Sequence, residues 1–518
     1  MPGNMSASFL SVSDRGTLEA LSRITYCNPF LRERQELEKE ILGGDYRNPD
    51  TSSRDLRSFS TNLDRLHEVA LHHAEKARIS FYQVQGRVAP AEFHIYQDVV
   101  LFALFSSNRE PFLEFIRKAY TRGSADRACS FYKEFEVEHA RYFPLRPNAP
   151  EPDYEAPHIF AMFFQIRRAF HHIFEFIIGA SPGANRLRAR VWQSIFTHDM
   201  ARYQRVLYDS MGDIVTFITG PSGSGKELVA RAIGLSRFVP FDPDRLHFKE
   251  DFLNSFIPVN LSALTETLLE SELFGHRKGS FTGALQDRKG YLETCGEFGT
   301  ILLDEITETR PDIQVKLLRV LQTSQFQRLG DTRSLPFRGK FMAASNCDLA
   351  EEMREGRFRE DFYYRLCADR VVTLALREIL QEDPDELHNL VLYIAGKFAG
   401  ADEAVGITDE ACQWIRGNLG LQYAWPGNFR ELEQCVRNIM VHGEYLPENT
   451  QAAMPRDKLL SSALGVGSLT AEHFLREYIS SVYETTQNYN ETARLLELDR
   501  RTVKKYVDLA DDQADSAS

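Results

Sequence analysis

The chain has 518 residues, 43% of them hydrophobic, which is ample for several cores and suggests about three or four domains. A net charge of -13 excludes a chain coated in nucleic-acid-binding surface, so any DNA contact must be local. Cys27, Cys129, Cys295, Cys347, Cys367, Cys412 and Cys435 are scattered without a C-x-x-C pair, which argues against a disulfide scaffold or zinc ribbon and fits reduced thiols in a cytoplasm.

From the front, Met1–Ser6 has neither a basic head nor an apolar signal core. Residues 1–189 read as mostly helical, with Asn28-Pro29 a candidate cap for a helix that closes at Gly43-Gly44. His67-Glu68 and His72 resemble a zinc-protease helix, but histidines five apart lie about 140° around a helix, so metal binding is rejected. Arg146–Asp153 and Ser181–Ala184 read as loops. His158–Gly179 is the greasiest stretch, yet Gln165, Arg167, Arg168, His171, His172 and Glu175 make it too polar to span a membrane. Its phenylalanines recur near helical spacing, as in a buried amphipathic helix.

From about 190 to 372 apolar runs alternate with helical segments, the pattern of an α/β fold with a mostly parallel sheet. Strands are expected at 214–219, 256–260, 300–303 and 340–345. The first leads into Gly220, Pro221, Ser222, Gly223, Ser224, Gly225 and Lys226, then a helix. Strand, glycine loop and helix in that order make a phosphate cradle, with converging backbone N–H groups, a helix N-terminus and a lysine that reaches the outer phosphates of ATP or GTP. Glu227 stands where a magnesium-holding hydroxyl is usual. The third strand ends in Asp304 and Glu305. In-line hydrolysis needs one carboxylate to hold Mg2+ through its water shell and another to orient the attacking water, roles that suit Asp304 and Glu305 respectively.

These motifs, with Glu272–Gly275 and Lys278–Ala284, resemble those of the AAA+ activators of sigma-54 RNA polymerase, the bacterial enhancer-binding proteins, over about residues 192–440. Gly279, Ser280, Phe281, Thr282, Gly283 and Ala284 look like the family's GAFTGA loop, which contacts sigma-54; the glycines permit steep turns, and Phe281 and Thr282 offer an apolar and a hydroxyl contact. The resemblance implies further roles. Asn260 matches the asparagine that restrains the catalytic glutamate, Asn346 the γ-phosphate sensor, Arg359 and Arg365 the arginine fingers given to a neighbouring subunit, and Arg430 the second sensor in a helical lid over 373–442. Ser280 replaces the loop's usual alanine, Ser345 and Cys347 flank the sensor where threonine and arginine are common, and Leu374–Glu378 lacks the expected prolines. Glu227 is what the family has.

Residues 443–467 read as a linker, 468–510 as a helical module, and 511–518 as a frayed acidic tail. Between 490 and 505 Arg494, Arg500, Arg501, Lys504 and Lys505 outnumber Glu491, Glu497 and Asp499, a locally basic patch on an acidic chain. The segment resembles the Fis-type helix-turn-helix, with Arg500, Arg501 and Thr502 toward base edges and Lys504 and Lys505 toward phosphates, although Glu497 occupies the usual turn glycine. The expectation is a cytoplasmic, ATP- and Mg2+-dependent activator that remodels the sigma-54 RNA polymerase holoenzyme and binds enhancer DNA. It would act as a homo-oligomer, a hexamer with a dimer as the resting alternative, and without a membrane. The rival reading is a general AAA+ remodeller or helicase loader whose last helices bind protein; a nucleotide-gated scaffold without hydrolysis comes third. Residues 1–189 show no receiver or ligand-binding pattern, so their regulatory role is inferred from position alone.

Overall fold

The computed structural model describes residues 8–48, 62–84, 88–125, 128–143, 154–447, 470–486 and 488–515. The chain divides into two compact units, residues 1–445 and 446–518. At the centre of the first is a parallel sheet of β1 (Thr216–Thr219), β2 (Phe256–Asn260), β3 (Thr300–Asp304), β4 (Lys340–Ser345) and β5 (Asp369–Val372), in spatial order β5-β1-β4-β3-β2. All four expected strands are present, and β5 is additional. The register aligns Thr219 with Ser345 and Asn260 with Asp304, so the chemistry-bearing residues gather at the carboxyl edge of the sheet.

Two-residue alternation assigns each strand side chain to one of two cores. Phe217, Ile301, Leu303, Phe341 and Ala343 pack with Leu317 and Leu318 of a helix spanning Pro311–Thr323 on one face. Ile218, Leu302, Met342, Ala344 and Val371 enter the other core, which they share with the N-terminal helices. Those helices are α1 (Arg15–Tyr26), α2 (Arg32–Leu42), α3 (Leu63–Gln83), α4 (Pro90–Arg122), α5 (Tyr132–Tyr142), α6 (Ala156–Phe176) and α7 (Pro182–Phe196). Helix α6 is the expected buried amphipathic helix; its Phe164 stacks on Phe248 at a centroid distance of 3.9 Å and its Phe160 packs tilted against Phe241 at 4.7 Å.

Two boundaries differ from expectation. Helix α2 starts at Arg32, because the Asn28 side chain accepts from Phe30 N and donates to Ala189 O, tying down the loop ahead of the helix. The boundary expected between 189 and 190 falls inside α7, whose Ser181 N-cap accepts from Ala184 N and whose Pro182 starts the helix. The helical region shares a core with the sheet. No helix of the described residues is long and apolar enough to cross a membrane.

The phosphate-loop helix α8 (Lys226–Gly234) follows β1, and α9 (Glu266–Phe274) follows β2. After β5 come α10 (Leu376–Glu382), α11 (Glu386–Asn418, interrupted at Gly400, φ 77°) and α12 (Asn428–His442), closed by Gly443 at φ 75°. The second unit holds α13 (Ala471–Thr486), α14 (Tyr489–Leu495) and α15 (Arg500–Asp515). Asp511–Asp515, expected as frayed tail, continue α15, since no Gly or Pro interrupts them. The expected loop at 146–153 and the linker residues 448–467 lie outside the described residues.

Candidate functional site

Gly220–Gly225 turns from β1 into α8. Gly223, at φ 72°, lies so near the Gly427 carbonyl that a Cβ would collide with it, so the turn needs glycine for both conformation and space. Ser224 Oγ donates to Pro221 O (2.7 Å) and lies 2.6 Å from Thr373 Oγ1. Lys226 Nζ donates to Gly220 O and Pro221 O at 3.1 and 3.2 Å. Burial pulls its pKa below the ordinary lysine value, against the opposing pull of Glu305 and Asp304. Glu227 instead faces solvent and pairs with Arg231 one turn on, at 2.9 Å.

Across the sheet edge, Asp304 Oδ1 accepts from Glu305 N at 3.0 Å. Glu305 sits at φ 55°, ψ 52°, a left-handed pose that costs a non-glycine residue about 1 kcal/mol or more. Burial and the neighbouring Asp304 raise its pKa, while Lys226 and the Asn346 backbone N–H oppose the rise. Because β4 lies between β1 and β3, Asn346 emerges between the phosphate loop and the carboxylates. Its side chain is exposed and its Oδ1 accepts from the Cys347 thiol at 3.1 Å. Asn260 faces Asp304 in register but caps the following turn, accepting from Ser262 N and Oγ at 3.0 and 2.7 Å.

Arg359 and Arg365 lie outside this cluster of contacts. Arg359 is exposed and bidentate to Asp361 (3.0 and 2.7 Å), and Arg365 is exposed without an ion pair among the described residues. Arg430 of α12 brings its Cγ to 3.5 Å from where a Gly223 Cβ would stand, and its charge is felt at Lys226. Two further contributors escaped sequence reasoning. Asn428, at φ 52°, donates from Nδ2 to Ser222 O (2.8 Å) and accepts Leu376 N at Oδ1 (2.9 Å), pinning the lid to the phosphate loop. Thr373, at the end of β5, backs Gly220 and Ser224. The string Trp425-Pro-Gly-Asn-Phe429, a turn signal just ahead of Arg430, carried the hint for Asn428.

The glycine-flanked loop closes an antiparallel hairpin of Gly275–His276 with Arg288–Lys289. Gly279 (φ 81°) and Gly283 (φ 101°) supply the turns, and Gly279 N donates to Ala284 O at 2.8 Å. Arg277 clamps the base through Asp287 and Asp331, and Lys278 N donates to Asp287 Oδ1 at 2.9 Å. Phe281 is 39% exposed and meets the His276 ring edge-on at 5.0 Å, outside its own domain's core. His276 is itself fixed by Ser271 of α9 at 2.7 Å. Ser280 Oγ is buried without a hydrogen-bond partner among the described residues, and its Cβ would lie 2.7 Å from a Cβ at Gly330.

In the second unit Ile479, Ala493, Val503 and Val507 form the core, with Tyr506 packed against it. Glu497 adopts φ 53°, the conformation a turn glycine would take. Asp499 caps α15, accepting from Arg501 N (2.7 Å) and from Thr502 N and Oγ1 (3.1 and 2.8 Å). Arg500, Arg501, Lys504 and Lys505 are exposed on α15. Among the described residues no group of three or more His, Cys, Asp or Glu side chains is placed to hold a metal ion.

Residues 196–372 match the family model described as the sigma-54 interaction domain. The chain is 41% identical over 228 residues to the Nif-specific regulatory protein of Azotobacter vinelandii, covering 44% of this chain and 40% of that one. It is 36% identical over 299 residues to the transcriptional regulatory protein ZraR of Klebsiella oxytoca (56% and 62%). To the anaerobic nitric oxide reductase transcription regulator NorR of Klebsiella pneumoniae (strain 342) it is 37% identical over 313 residues (55% and 55%). The match thus spans less than two thirds of each relative's length. Among solved structures, NtrX from Brucella abortus in complex with ATP aligns over 72% of this chain and 79% of that one, with 23% identity and a TM-score of 0.39.

Proposed function

We propose, from the match of residues 196–372 to the sigma-54 interaction domain model, that the protein is a sigma-54-dependent transcription activator that couples ATP hydrolysis to remodelling of the polymerase closed complex. Lys226 and the N–H groups of the phosphate loop bind the nucleotide phosphates, and Arg430 reads them from the lid. Asp304 would hold Mg2+ through its water shell, which supplies charge neutralisation at the phosphates; hard carboxylate oxygens suit that ion. Glu305 accepts a proton from, and orients, the attacking water. Its upward-shifted pKa makes it a better base than an ordinary carboxylate while Lys226 keeps the ionised form in place.

Arg359 and Arg365 serve a neighbouring subunit's nucleotide in a hexameric ring. Their exposure supports this, as does the value of a trans arginine, about 10³-fold or more in rate. Asn260 restrains Glu305 in another state of the cycle, since here it serves Ser262. In the second unit, α15 binds enhancer DNA, with Arg500, Arg501 and Thr502 at base edges and Lys504 and Lys505 on phosphates.

The observation that carries the reading is Phe281, kept out of the core at the tip of a glycine-hinged loop whose base is clamped by Arg277. A Phe281→Ala variant is expected to hydrolyse ATP within about twofold of the parent yet lose sigma-54 promoter opening. Parallel loss of both activities sinks the coupling role.

A further inference from the structure

Helices α1, α4, α6 and α7 enclose a cavity of about 540 Å³, within the ~300–1,000 Å³ typical of small-molecule sites. Its walls are apolar and aromatic, among them Leu101, Phe105, Phe163, Phe170 and Trp192. Three donors from separate segments that line it lack acceptors among the described residues. Arg109 Nη1, Arg167 Nε and Gln204 Nε2 are all buried without a hydrogen-bond partner among the protein's described atoms, and Gln204 as a residue is only 5% exposed. Buried donors without acceptors are rare and costly in folded proteins.

The acids beside them do not satisfy these donors. Glu110 lies 3.8 Å from Arg109 and 3.9 Å from Arg167, beyond hydrogen-bond range, and Asp64 engages a different nitrogen of Arg109. With Arg117 and the Glu38-paired Arg34 also lining the cavity, its cations outnumber Asp64 and Glu110. We propose that this cavity binds a small organic monocarboxylate, its carboxylate received by Arg167, Arg109 and Gln204 and its hydrocarbon or aryl body lying between Phe105, Phe163 and Trp192.

The site has a physical route to the nucleotide. On α6, Phe163, Ile166, Arg167 and Phe170 face the cavity at helical spacing. The other face of that helix holds the end of α8. Arg168 donates to Leu235 O (3.0 Å) and to Arg237 O, Gln165 Nε2 to Ser236 O (2.9 Å), and His172 Nδ1 lies 3.1 Å from Ser236 Oγ. The first residue of α8 is Lys226. Beside them Trp192 of α7 lines the cavity while Arg190 of the same helix pairs with Asp369 of β5 at 2.8 Å. A ligand that shifts α6 or α7 therefore acts on both the phosphate-loop helix and the strand beside β1.

The test uses the full chain and calorimetric titration with straight-chain carboxylates from butanoate to dodecanoate, phenylacetate and 1-naphthoate, each beside its primary amide. At least one acid is expected to bind about tenfold or more tightly than its amide. Arg167→Met should weaken that acid about tenfold, and Phe105→Trp, which fills the cavity without touching the charges, should also weaken it, both with an unchanged or raised thermal midpoint. Lack of binding by any acid up to about 10 mM, equal binding of acid and amide, or indifference to Arg167→Met overturns the site. The route to α8 rests on nucleotide binding at Lys226 and is read separately. Saturating acid should change ATP affinity by the same factor by which ATP changes acid affinity, and a factor of one discards the route while leaving the site.

Discussion

The sheet edge and the helical layer packed behind it treat charge in opposite ways. At the sheet edge, Lys226 is buried at the start of α8, Asp304 and Glu305 are half-buried and Asn346 is exposed, and backbone contacts hold Lys226 and Asp304 without an ion pair among the described residues. In the helical layer Arg168 and His172 are wholly enclosed, and the guanidinium of Arg168 is wrapped in the carbonyls of Leu235 and Arg237. His139 and His171 are driven down to a pKa of about 4 by burial, so they are neutral near pH 7. Charge serves the chemistry in one region and the architecture in the other.

The sharpest way to break that contrast is Glu305→Gln, which keeps shape and burial but removes the proposed base. Single-turnover measurements should show about 10²-fold or greater loss of hydrolysis with ATP affinity within about threefold. Unchanged turnover would move Glu305 into the architectural class.

The next effect belongs to the helical layer. Unfolded histidines bind protons below about 6.5, whereas His139 and His171 when folded do so only near 4. The unfolded state therefore takes up more protons in this window. Stability is intact above pH 6.5 and falls as pH drops toward 4, by roughly 3 kcal/mol for each histidine at full extent. Urea unfolding at pH 7, 6 and 5 should show the decline, and His139→Phe should flatten it; an identical acid slope in the variant refutes the assignment.

The smallest expected effect lies between the regions' extremes, at Asn428. Alanine there loses two hydrogen bonds and keeps a left-handed backbone without a side chain suited to it, so Asn428→Ala should cost about 2 kcal/mol. Faster amide exchange at Leu376 should accompany it. Full stability with unaltered exchange would show the lid to be held elsewhere.

The same contrast explains what could be read in advance. Strands β1 to β4 are apolar runs that stop at a glycine, a carboxylate or an asparagine, so their existence and chemistry were visible together. Strand β5 hid because only Val371 of its four residues is buried, while Asp369 and the Arg370 carbonyl pair with Arg190. In α6 the polar residues that ruled out a membrane span were legible as interruptions, but their partners were not. Arg168, Gln165 and His172 meet groups 64 to 71 positions away, a relation no local pattern encodes. Glu497 shows the converse: a side chain that argued against a turn takes the turn's left-handed conformation anyway.

The shared core beneath α6 has an evolutionary and practical consequence. A sensory segment joined by a tether can be exchanged or trimmed, but here the cut at residue 189 would split a continuous helix and lay bare the rings of Phe238, Phe241, Phe248 and Phe252. Truncation should then yield an insoluble fragment in place of a released sheet domain, and any lineage inheriting this front half must inherit the matching back of that sheet with it.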